Sequence, residues 1–262
     1  MNIKMVILDL DGTVLRDDKT ISQKTISVLK QCQKEGILIA VATARSPQAA
    51  KKYLNQICPD LIIANGGALV QTKEAVLYQC TMPAPVTDRI IHDLMNRPDF
   101  ISLSVETPSS YYTTWETADS DDYAYGTVYD FCHPLGQEAY KITVELQDIS
   151  KISPEEFQYP DCTATPFCDG NWYRFAHRDA GKINGVCQAA KAMHLSLEQV
   201  AAFGDDAIDQ EMIQQCGMGI AMGNAIPSVQ AVADAVCDTN QNDGVACWLE
   251  EHLLAHNNKT TE

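Results

Sequence analysis

The chain has 262 residues, of which 45% are hydrophobic and 21% are charged, and its formal net charge at pH 7 is -16. This length and composition are typical of a globular protein with one large domain or two modest domains. A nucleic-acid partner would require a basic face, and an anionic membrane surface would repel so acidic a chain, so the charge argues against both kinds of partner.

The ten cysteines include no C-x-x-C pair, and several lie among apolar residues of predicted helices and strands. A thiol in such surroundings behaves as a small core residue. The first residues lead directly into a predicted strand, so we expect no signal peptide, and no apolar stretch reaches the length of a membrane span. We therefore expect a cytoplasmic protein with reduced thiols.

The first buried strand is predicted over residues 3–8, where a single lysine interrupts an apolar run. Such a run is typical of a central parallel strand that is buried on both faces. The strand leads into D-L-D-G-T at residues 9–13, so the carboxylates of Asp9 and Asp11 point to the same side of the strand end. They repel each other unless a cation lies between them or one is protonated. Gly12 allows a sharp turn directly afterwards.

Helices and strands then alternate in the first quarter of the chain, which favours right-handed crossovers and a parallel sheet. Ser residues and a Ser-Pro pair mark the helix starts, and Gly and Cys-Pro mark the ends. The predicted helices cover residues 22–35 and 46–58, and the predicted strands cover residues 37–42 and 61–64.

The middle of the chain has a different pattern, in which strands follow one another with few helices between them. A hairpin is predicted at residues 68–79, a linker at residues 82–85 and a helix at residues 86–97. The β-rich segments that follow cover residues 101–106, 111–116, 139–146 and 171–177. Strands in such a run predict a separate α+β unit.

The first alternation returns near Gly181, so the sequence predicts an α/β domain that is interrupted by the middle unit. The predicted helices cover residues 181–194, 208–216, 226–233 and 244–254, and the predicted strands cover residues 199–203 and 217–221.

Polar residues follow four of the predicted strands, at the edge where open parallel sheets bind ligands. They are Asp9, Asp11, Thr43, Asn65, Asp205, Asp206 and Asp209. Lys182 begins the helix after the middle unit, where backbone N–H groups favour an anion. Taken singly, these residues are typical of helix caps, turns and solvated ends. Together, carboxylates for a hard cation and a hydroxyl and an ammonium for an anion predict a phosphate site.

Four of these segments resemble, in order, the four motifs of the haloacid dehalogenase-like superfamily. They are D-L-D-G-T-V at residues 9–14, T-A-R at residues 43–45, Lys182, and G-D-D-A-I-D at residues 204–209. Three further segments are similar to its Cof-type branch: N-G-G-A at residues 65–68, A-M-G-N-A at residues 221–225 and D-G-V-A at residues 243–246. The resemblance implies a Rossmann-like, three-layer core with a parallel sheet (residues 1–81 and 180–262). It also implies an inserted type-2 (C2B-like) α+β cap that controls substrate access (residues 82–179).

The resemblance further implies a Mg²⁺-dependent phosphatase that acts on phosphate monoesters of small metabolites, such as a sugar phosphate, a nucleotide or a cofactor phosphate. The reaction would pass through an aspartyl phosphate on Asp9, with Asp11 as general acid and base. Mg²⁺ would bind the carboxylates of Asp9 and Asp205 and the backbone carbonyl of Asp11, while Asp209 would orient a metal-bound water. The residues expected to hold the phosphoryl group are Thr43, Lys182, Leu10, Gly12, Ala44, Arg45 and Asn224.

Three positions depart from the commonest family pattern, because Ala44 and Ile183 stand where glycine is frequent and Ile208 stands where asparagine is usual. Isoleucine cannot make the hydrogen bonds of asparagine, so we expect Asp205 and Asp209 to be held less firmly. This leaves open an alternative function, a catalytically weakened member that binds a phospho-ligand or acts as a regulatory protein.

A phosphoacceptor receiver domain is another alternative, since it also places acids, a threonine and a lysine on a parallel sheet. Such a domain would carry adjacent acids after its first strand and its acceptor aspartate after a later strand. It would also lack the inserted unit, so the order of motifs here argues against it. Phosphate release from an aryl phosphate, measured with and without Mg²⁺, would separate the enzyme from both alternatives.

Overall fold

The computed structural model describes residues 2–116, 123, 125–167 and 170–255. The chain divides into two compact units: a core unit of Met1–Tyr78 with Gly181–Glu262, and an inserted unit of Gln79–Ala180. The boundaries expected from the sequence lie within three residues of these. The function of the inserted unit as a cap stays a prediction.

Fourteen strands are described, numbered here in chain order. They are β1 (Met5–Leu8), β2 (Leu38–Ala42), β3 (Leu61–Ala64), β4 (Leu69–Gln71), β5 (Val76–Gln79), β6 (Phe100–Glu106), β7 (Tyr111–Thr113), β8 (Thr127–Val128), β9 (Lys141–Leu146), β10 (Cys162–Pro166), β11 (Trp172–His177), β12 (Val200–Gly204), β13 (Met218–Ala221) and β14 (Ala235–Val236).

Seven α-helices are described. They are α1 (Gln23–Lys34), α2 (Lys51–Ile57), α3 (Ala84–Met95), α4 (Lys182–Ala192), α5 (Gln210–Gln215), α6 (Pro227–Gln230) and α7 (Gly244–Leu249), which continues as a π-helical turn over Glu250–Leu254. Short 3₁₀ turns cover Asn65–Gly67, Ile149–Lys151, Pro154–Glu156, Leu197–Gln199, Ala207–Asp209 and Asn240–Asn242.

The core unit is built on an eight-stranded sheet in the order β14-β13-β12-β1-β2-β3-β4-β5. The strands from β14 to β3 pair in parallel, and β4 runs antiparallel to β3. Met5 of β1 lies opposite Val200 of β12 and Leu38 of β2. All four residues of β1 are fully buried, as an apolar run between two parallel neighbours predicts. The α/β fold class, with a Rossmann-like core and an inserted α+β unit, is confirmed.

The inserted unit is a six-stranded, mostly antiparallel sheet in the order β10-β11-β9-β6-β7-β8, with α3 packed on it. Its buried apolar side chains form a hydrophobic cluster separate from that of the core unit and include Ile90, Leu94, Val105, Ile142 and Phe175. A hydrophobic core of its own is a property of a domain that can fold independently.

The predicted linker at residues 82–85 is wrong. Met82 is buried, and its N–H donates to the carbonyl oxygen of Ala139 at 2.8 Å. Helix α3 already begins at Ala84, because Pro85 is favoured in a first helical turn. The proline pair therefore starts a helix, and the chain makes no flexible connection there.

The start of α2 and three strands also differ from the predictions. Ser46 caps a tight turn through its Oγ and the N–H of Ala49, and the α-helix begins only at Lys51. Strands β8, β10 and β14 were not predicted. The residues of β10 read C-T-A-T-P, in which the alternate apolar residues are small and the last residue is a proline, so the segment is a weak strand signal.

No disulfide joins the nine cysteines that the structure describes. Among the described residues, no helix has both the length and the apolar character that crossing a bilayer requires. The cytoplasmic location stays a prediction.

Candidate active site

Three neighbouring strands of the core unit deliver the predicted polar residues to one edge of the sheet. Asp9 follows β1, Thr43 follows β2 and Asp205 follows β12, and β1 lies between the other two. The N–H of Asp9 bonds to the carbonyl oxygen of Phe203 at 3.1 Å, and that of Thr43 to the carbonyl oxygen of Ile63 at 2.8 Å. The backbone that carries these side chains is therefore fixed by the sheet.

Lys182 lies in the first turn of α4 and joins two of the acids. Its Nζ lies 2.6 Å from Oδ1 of Asp9 and 2.5 Å from Oδ1 of Asp209, and all three side chains are buried. Burial alone would lower the pKa of Lys182, but the charges and hydrogen bonds of Asp209 and Asp9 outweigh it and raise that pKa. The ammonium is therefore charged and fixes both carboxylates.

The carboxylates of Asp9, Asp205 and Asp209 form a cluster that fits a hard divalent cation. One oxygen of each lies within 4.8 Å of one oxygen of the others. Burial, reinforced by the charge of Asp209, raises the pKa of Asp205 to about 6, and burial also raises the pKa of Asp9 despite its contact with Lys182. Three carboxylates face one ammonium, so the cluster has an excess of negative charge on oxygen ligands, as a Mg²⁺ site requires.

Asp209 uses both carboxylate oxygens within the protein. Oδ1 accepts from Lys182, and Oδ2 accepts the N–H groups of Asp205 at 3.1 Å and of Asp206 at 3.2 Å. These contacts fix the turn after β12 that presents Asp205. They are consistent with an orienting function of Asp209 outside the metal's direct ligands, which stays a prediction.

Gly12 brings the first motif close to Asp205. Its φ is +77°, and a Cβ at this position would lie 2.1 Å from Oδ2 of Asp205. The next residue, Thr13, donates from its Oγ1 to Oδ1 of Asp205 at 2.9 Å. Only glycine fits this position, since both the backbone conformation and the available space exclude a side chain.

Asp11 is held by two cations. Arg45 contacts it with two nitrogens, Nε to Oδ2 at 2.8 Å and Nη2 to Oδ1 at 3.0 Å, and Nζ of Lys19 donates to Oδ1 at 2.8 Å. Burial by itself would raise the pKa of Asp11, but the hydrogen bonds from Arg45 and Lys19 outweigh it and lower that pKa to about 2. Asp11 is therefore ionised in this arrangement, and the guanidinium of Arg45, predicted to bind phosphate, contacts Asp11.

Thr43 is buried at the end of β2, and its Oγ1 accepts the N–H of Arg45 at 3.1 Å. A hydroxyl that accepts one hydrogen bond still has a proton to donate to a ligand oxygen. Ala44 lies between them and is partly buried.

Two further predicted phosphate-binding residues have contacts within the loop after β1. The side chain of Leu10 is fully buried, and its carbonyl oxygen accepts the N–H of Leu15 at 2.8 Å. Asn224 donates from Nδ2 to the carbonyl oxygen of Gly12 at 2.8 Å, and its Oδ1 accepts the N–H of Asn240 at 3.0 Å. Asn224 is thus placed beside the loop as a support for its backbone.

The two isoleucines that depart from the family pattern differ in their surroundings. Ile183 is buried and belongs to the hydrophobic cluster of the core unit. Ile208 precedes Asp209, and 47% of its surface is exposed. Ile183 is therefore a core residue, whereas Ile208 presents an apolar side chain to solvent beside the acids.

Sequence reasoning missed Thr13 and Lys19 as site residues. Thr13 directly follows the D-x-D-G segment, so its closeness to the acids was recognisable. Lys19 reaches Asp11 from a residue with a φ of +61°, in a turn where its N–H bonds to the carbonyl oxygen of Arg16. Nothing in the residue pattern predicts that conformation.

Comparisons with known proteins give a matching family model and similar proteins. A family model described as haloacid dehalogenase-like hydrolase matches residues 6–249. The 5-amino-6-(5-phospho-D-ribitylamino)uracil phosphatase YitU of Bacillus subtilis is 26% identical over 270 residues, which cover 95% of this chain and 97% of that protein. A haloacid dehalogenase-like hydrolase from Bacteroides thetaiotaomicron has a similar structure, with a TM-score of 0.83, 21% identity and coverage of 95% of this chain and 99% of that one. The subclass IIB sugar phosphatase BT4131 gives a TM-score of 0.78 at 20% identity, with coverage of 95% and 98%. At these identities the two structures establish a shared fold.

Proposed function

The chain belongs to the haloacid dehalogenase-like hydrolases of the Cof type and is a phosphatase, and from this premise we propose that it hydrolyses phosphate monoesters of small metabolites with the help of Mg²⁺, through an aspartyl phosphate on Asp9. The observation that carries the proposal is the cluster of Asp9, Asp205 and Asp209, which are held close together with the buried Lys182 bonded to two of them. The excess negative charge of this cluster fits a divalent cation, and the position of Asp9 directly after β1 fits a nucleophile.

Asp9 is the proposed nucleophile. Its Oδ1 accepts from Lys182, which fixes the plane of the carboxylate, and the second oxygen would attack phosphorus. The bond between phosphorus and the ester oxygen breaks as the new bond forms. Thr43 would donate a hydrogen bond from its hydroxyl to a phosphoryl oxygen, and the ammonium of Lys182 would stabilise the negative charge. Mg²⁺, when bound by the carboxylates of Asp9 and Asp205 and by the backbone carbonyl of Asp11, would neutralise charge on the transferring group.

Asp11 is the proposed general acid and base. As an ionised carboxylate it suits the second step, in which it takes a proton from the water that attacks the aspartyl phosphate. The first step needs its protonated form, which gives a proton to the leaving oxygen. An anionic phosphate that draws Arg45 and Lys19 away from Asp11 would raise the pKa of that carboxyl and so favour protonation. Binding of substrate would thereby prepare the acid.

The proposed substrates are small phosphorylated metabolites. YitU is named for a phosphorylated ribitylaminouracil, and BT4131 is named as a sugar phosphatase. Sugar phosphates, nucleotides and cofactor phosphates are all consistent with the site, because its residues address the phosphate and the metal. We assign the choice among them to the inserted unit, predicted over residues 82–179.

A panel of phosphorylated metabolites, scored for released phosphate with Mg²⁺ and with a chelator, tests the proposal. We expect Mg²⁺-dependent release from at least one small monoester. Binding of phospho-ligands without release in any condition would favour the weakened, regulatory alternative.

A further inference from the structure

A buried asparagine far along the chain supports the loop that follows the first motif. Only 6% of the surface of Asn240 is exposed. Its Nδ2 donates to the carbonyl oxygen of Leu15 at 2.9 Å and to Oδ1 of Asp17 at 3.1 Å. Its backbone N–H donates to Oδ1 of Asn224, whose Nδ2 in turn donates to the carbonyl oxygen of Gly12 at 2.8 Å. Two amide side chains thus connect residue 240 to both ends of the loop of residues 12–17.

The turn that carries Asn240 is itself firmly built. Asp243 adopts a φ of +57° and accepts from Nη2 of Arg16 at 2.9 Å, which adds a third link to the same loop. Gly244, the first residue of α7, donates its N–H to the carbonyl oxygen of Thr239. A Cβ on Gly244 would lie 2.0 Å from the carbonyl oxygen of Asp238, so the turn is closed too tightly for a side chain. The support is therefore a fixed part of the core unit.

The loop of residues 12–17 decides how the acids of the site meet. Gly12 directly follows Asp11 and lies against the carboxylate of Asp205, and Thr13 donates to that carboxylate. A displacement of Gly12 would therefore move Asp11 and release Asp205 from Thr13 together. Misplacement of about 1 Å in such a site can cost on the order of 10²-fold in rate.

We propose that Asn240 is a positioning residue for the phosphatase reaction, because its side chain holds the far end of the loop of residues 12–17 while Asn224 holds Gly12, which directly follows Asp11. The kinetic part of this inference rests on the proposed function. Asn224 was predicted to bind phosphate, but both polar atoms of its amide are in contact with this support. Removal of either amide should lower turnover and leave the affinity for substrate nearly unchanged.

The primary test compares Asn240→Ala with wild type, using p-nitrophenyl phosphate and saturating Mg²⁺. We expect kcat to fall about 10–100-fold, as is typical when groups that orient a metal site are lost, with KM nearly unchanged. The matched control is Asn242→Ala, since Asn242 lies in the same turn and is exposed, and its side chain donates only to Oδ1 of Asp238 in the described contacts. Wild-type kcat in Asn240→Ala, or an equal loss in Asn242→Ala, overturns the inference.

Asn224→Ala and the double variant show whether the two amides act as one unit. If both side chains hold the same loop, the losses in kcat of the single variants do not add in the double variant. Asn224 is exposed, so Asn224→Ala decides the matter if Asn240→Ala fails to fold. A rise in KM of Asn224→Ala with unchanged kcat would make Asn224 a substrate ligand and would contradict the inference.

Amide hydrogen exchange gives a readout that does not depend on activity. The N–H groups of Val14 and Leu15 bond to the carbonyl oxygen of Leu10 at 3.1 Å and 2.8 Å. We expect faster exchange of these amides in Asn240→Ala and Asn224→Ala, and wild-type exchange in Asn242→Ala. Unchanged exchange in both site variants refutes the positioning effect. If amide exchange is faster in both site variants but the wild type releases no phosphate from any substrate, the proposed function is refuted instead.

Discussion

Substitution of Gly12 by alanine tests how closely the first motif must approach Asp205. The added Cβ would lie 2.1 Å from Oδ2 of Asp205. Because a Cβ essentially never lies within 3.0 Å of a non-bonded heavy atom, Gly12 or the Asp205 side chain would have to shift by about 1 Å. The φ of +77° adds backbone strain on the order of 1–3 kcal/mol in the free energy of unfolding. We expect Gly12→Ala to be destabilised by at least this amount and to lose on the order of 10²-fold in turnover.

Gly36 provides a matched control for the strain. Its φ is +80°, and a Cβ there would meet nothing within 4 Å. Gly36→Ala should therefore show a similar loss of stability, measured by urea unfolding in a chelator, and should keep wild-type turnover. The Mg²⁺ concentration for half-maximal phosphate release should rise in Gly12→Ala alone. Wild-type turnover and Mg²⁺ dependence in Gly12→Ala would refute the reasoning, as would an equal loss of turnover in Gly36→Ala.

Three further predictions concern other parts of the chain. Ile208→Asn should lower the Mg²⁺ concentration for half-maximal activity or raise turnover, and its melting temperature should not change because the side chain is half exposed. A lower melting temperature without either gain in activity would contradict this prediction. Because burial raises the pKa of Asp205 from 3.8 to about 6, the free energy of unfolding of the metal-free protein should fall as the pH rises between these values. Urea unfolding should show a smaller pH dependence in Asp205→Asn, and an equal pH dependence in both proteins would contradict this. Replacing residues 82–179 with a flexible linker should leave a folded core that hydrolyses p-nitrophenyl phosphate weakly and no longer selects among metabolites. Unchanged selectivity among metabolites would show that the core unit determines specificity.

The edge of the sheet that carries the acid cluster was predictable because buried parallel strands leave a clear mark in sequence. The apolar runs of β1 and β12 are interrupted only where Asp9 and Asp205 leave the sheet. Adjacent parallel strands end at the same edge, so the two acids had to lie close together. The position of Lys182 at the start of α4 followed from the return of the helix and strand alternation after the inserted unit.

The contacts of Asp11 were not predictable in the same way. Lys19 reaches it only because a non-glycine residue adopts a left-handed conformation, which depends on the whole turn of residues 16–20. The support by Asn240 joins residues more than 220 positions apart, and hydrogen bonds of that kind have no period in sequence. The wrong linker has a simpler cause, since the Met-Pro-Ala-Pro segment equally suits a loop and a first helical turn.

The central claim is that Asp9 becomes phosphorylated during turnover. The direct measurement is to mix the wild type with Mg²⁺ and its best substrate from the metabolite panel, stop the reaction with acid, and reduce the protein with borohydride. This treatment converts an aspartyl phosphate into homoserine, which peptide mass spectrometry locates. We predict homoserine at position 9 in the wild type, and no homoserine and no turnover in Asp9→Asn. That variant should keep its thermal stability, because loss of one charge relieves repulsion in the acid cluster. Homoserine at another aspartate, or turnover by Asp9→Asn above a tenth of the wild-type rate, would contradict the claim.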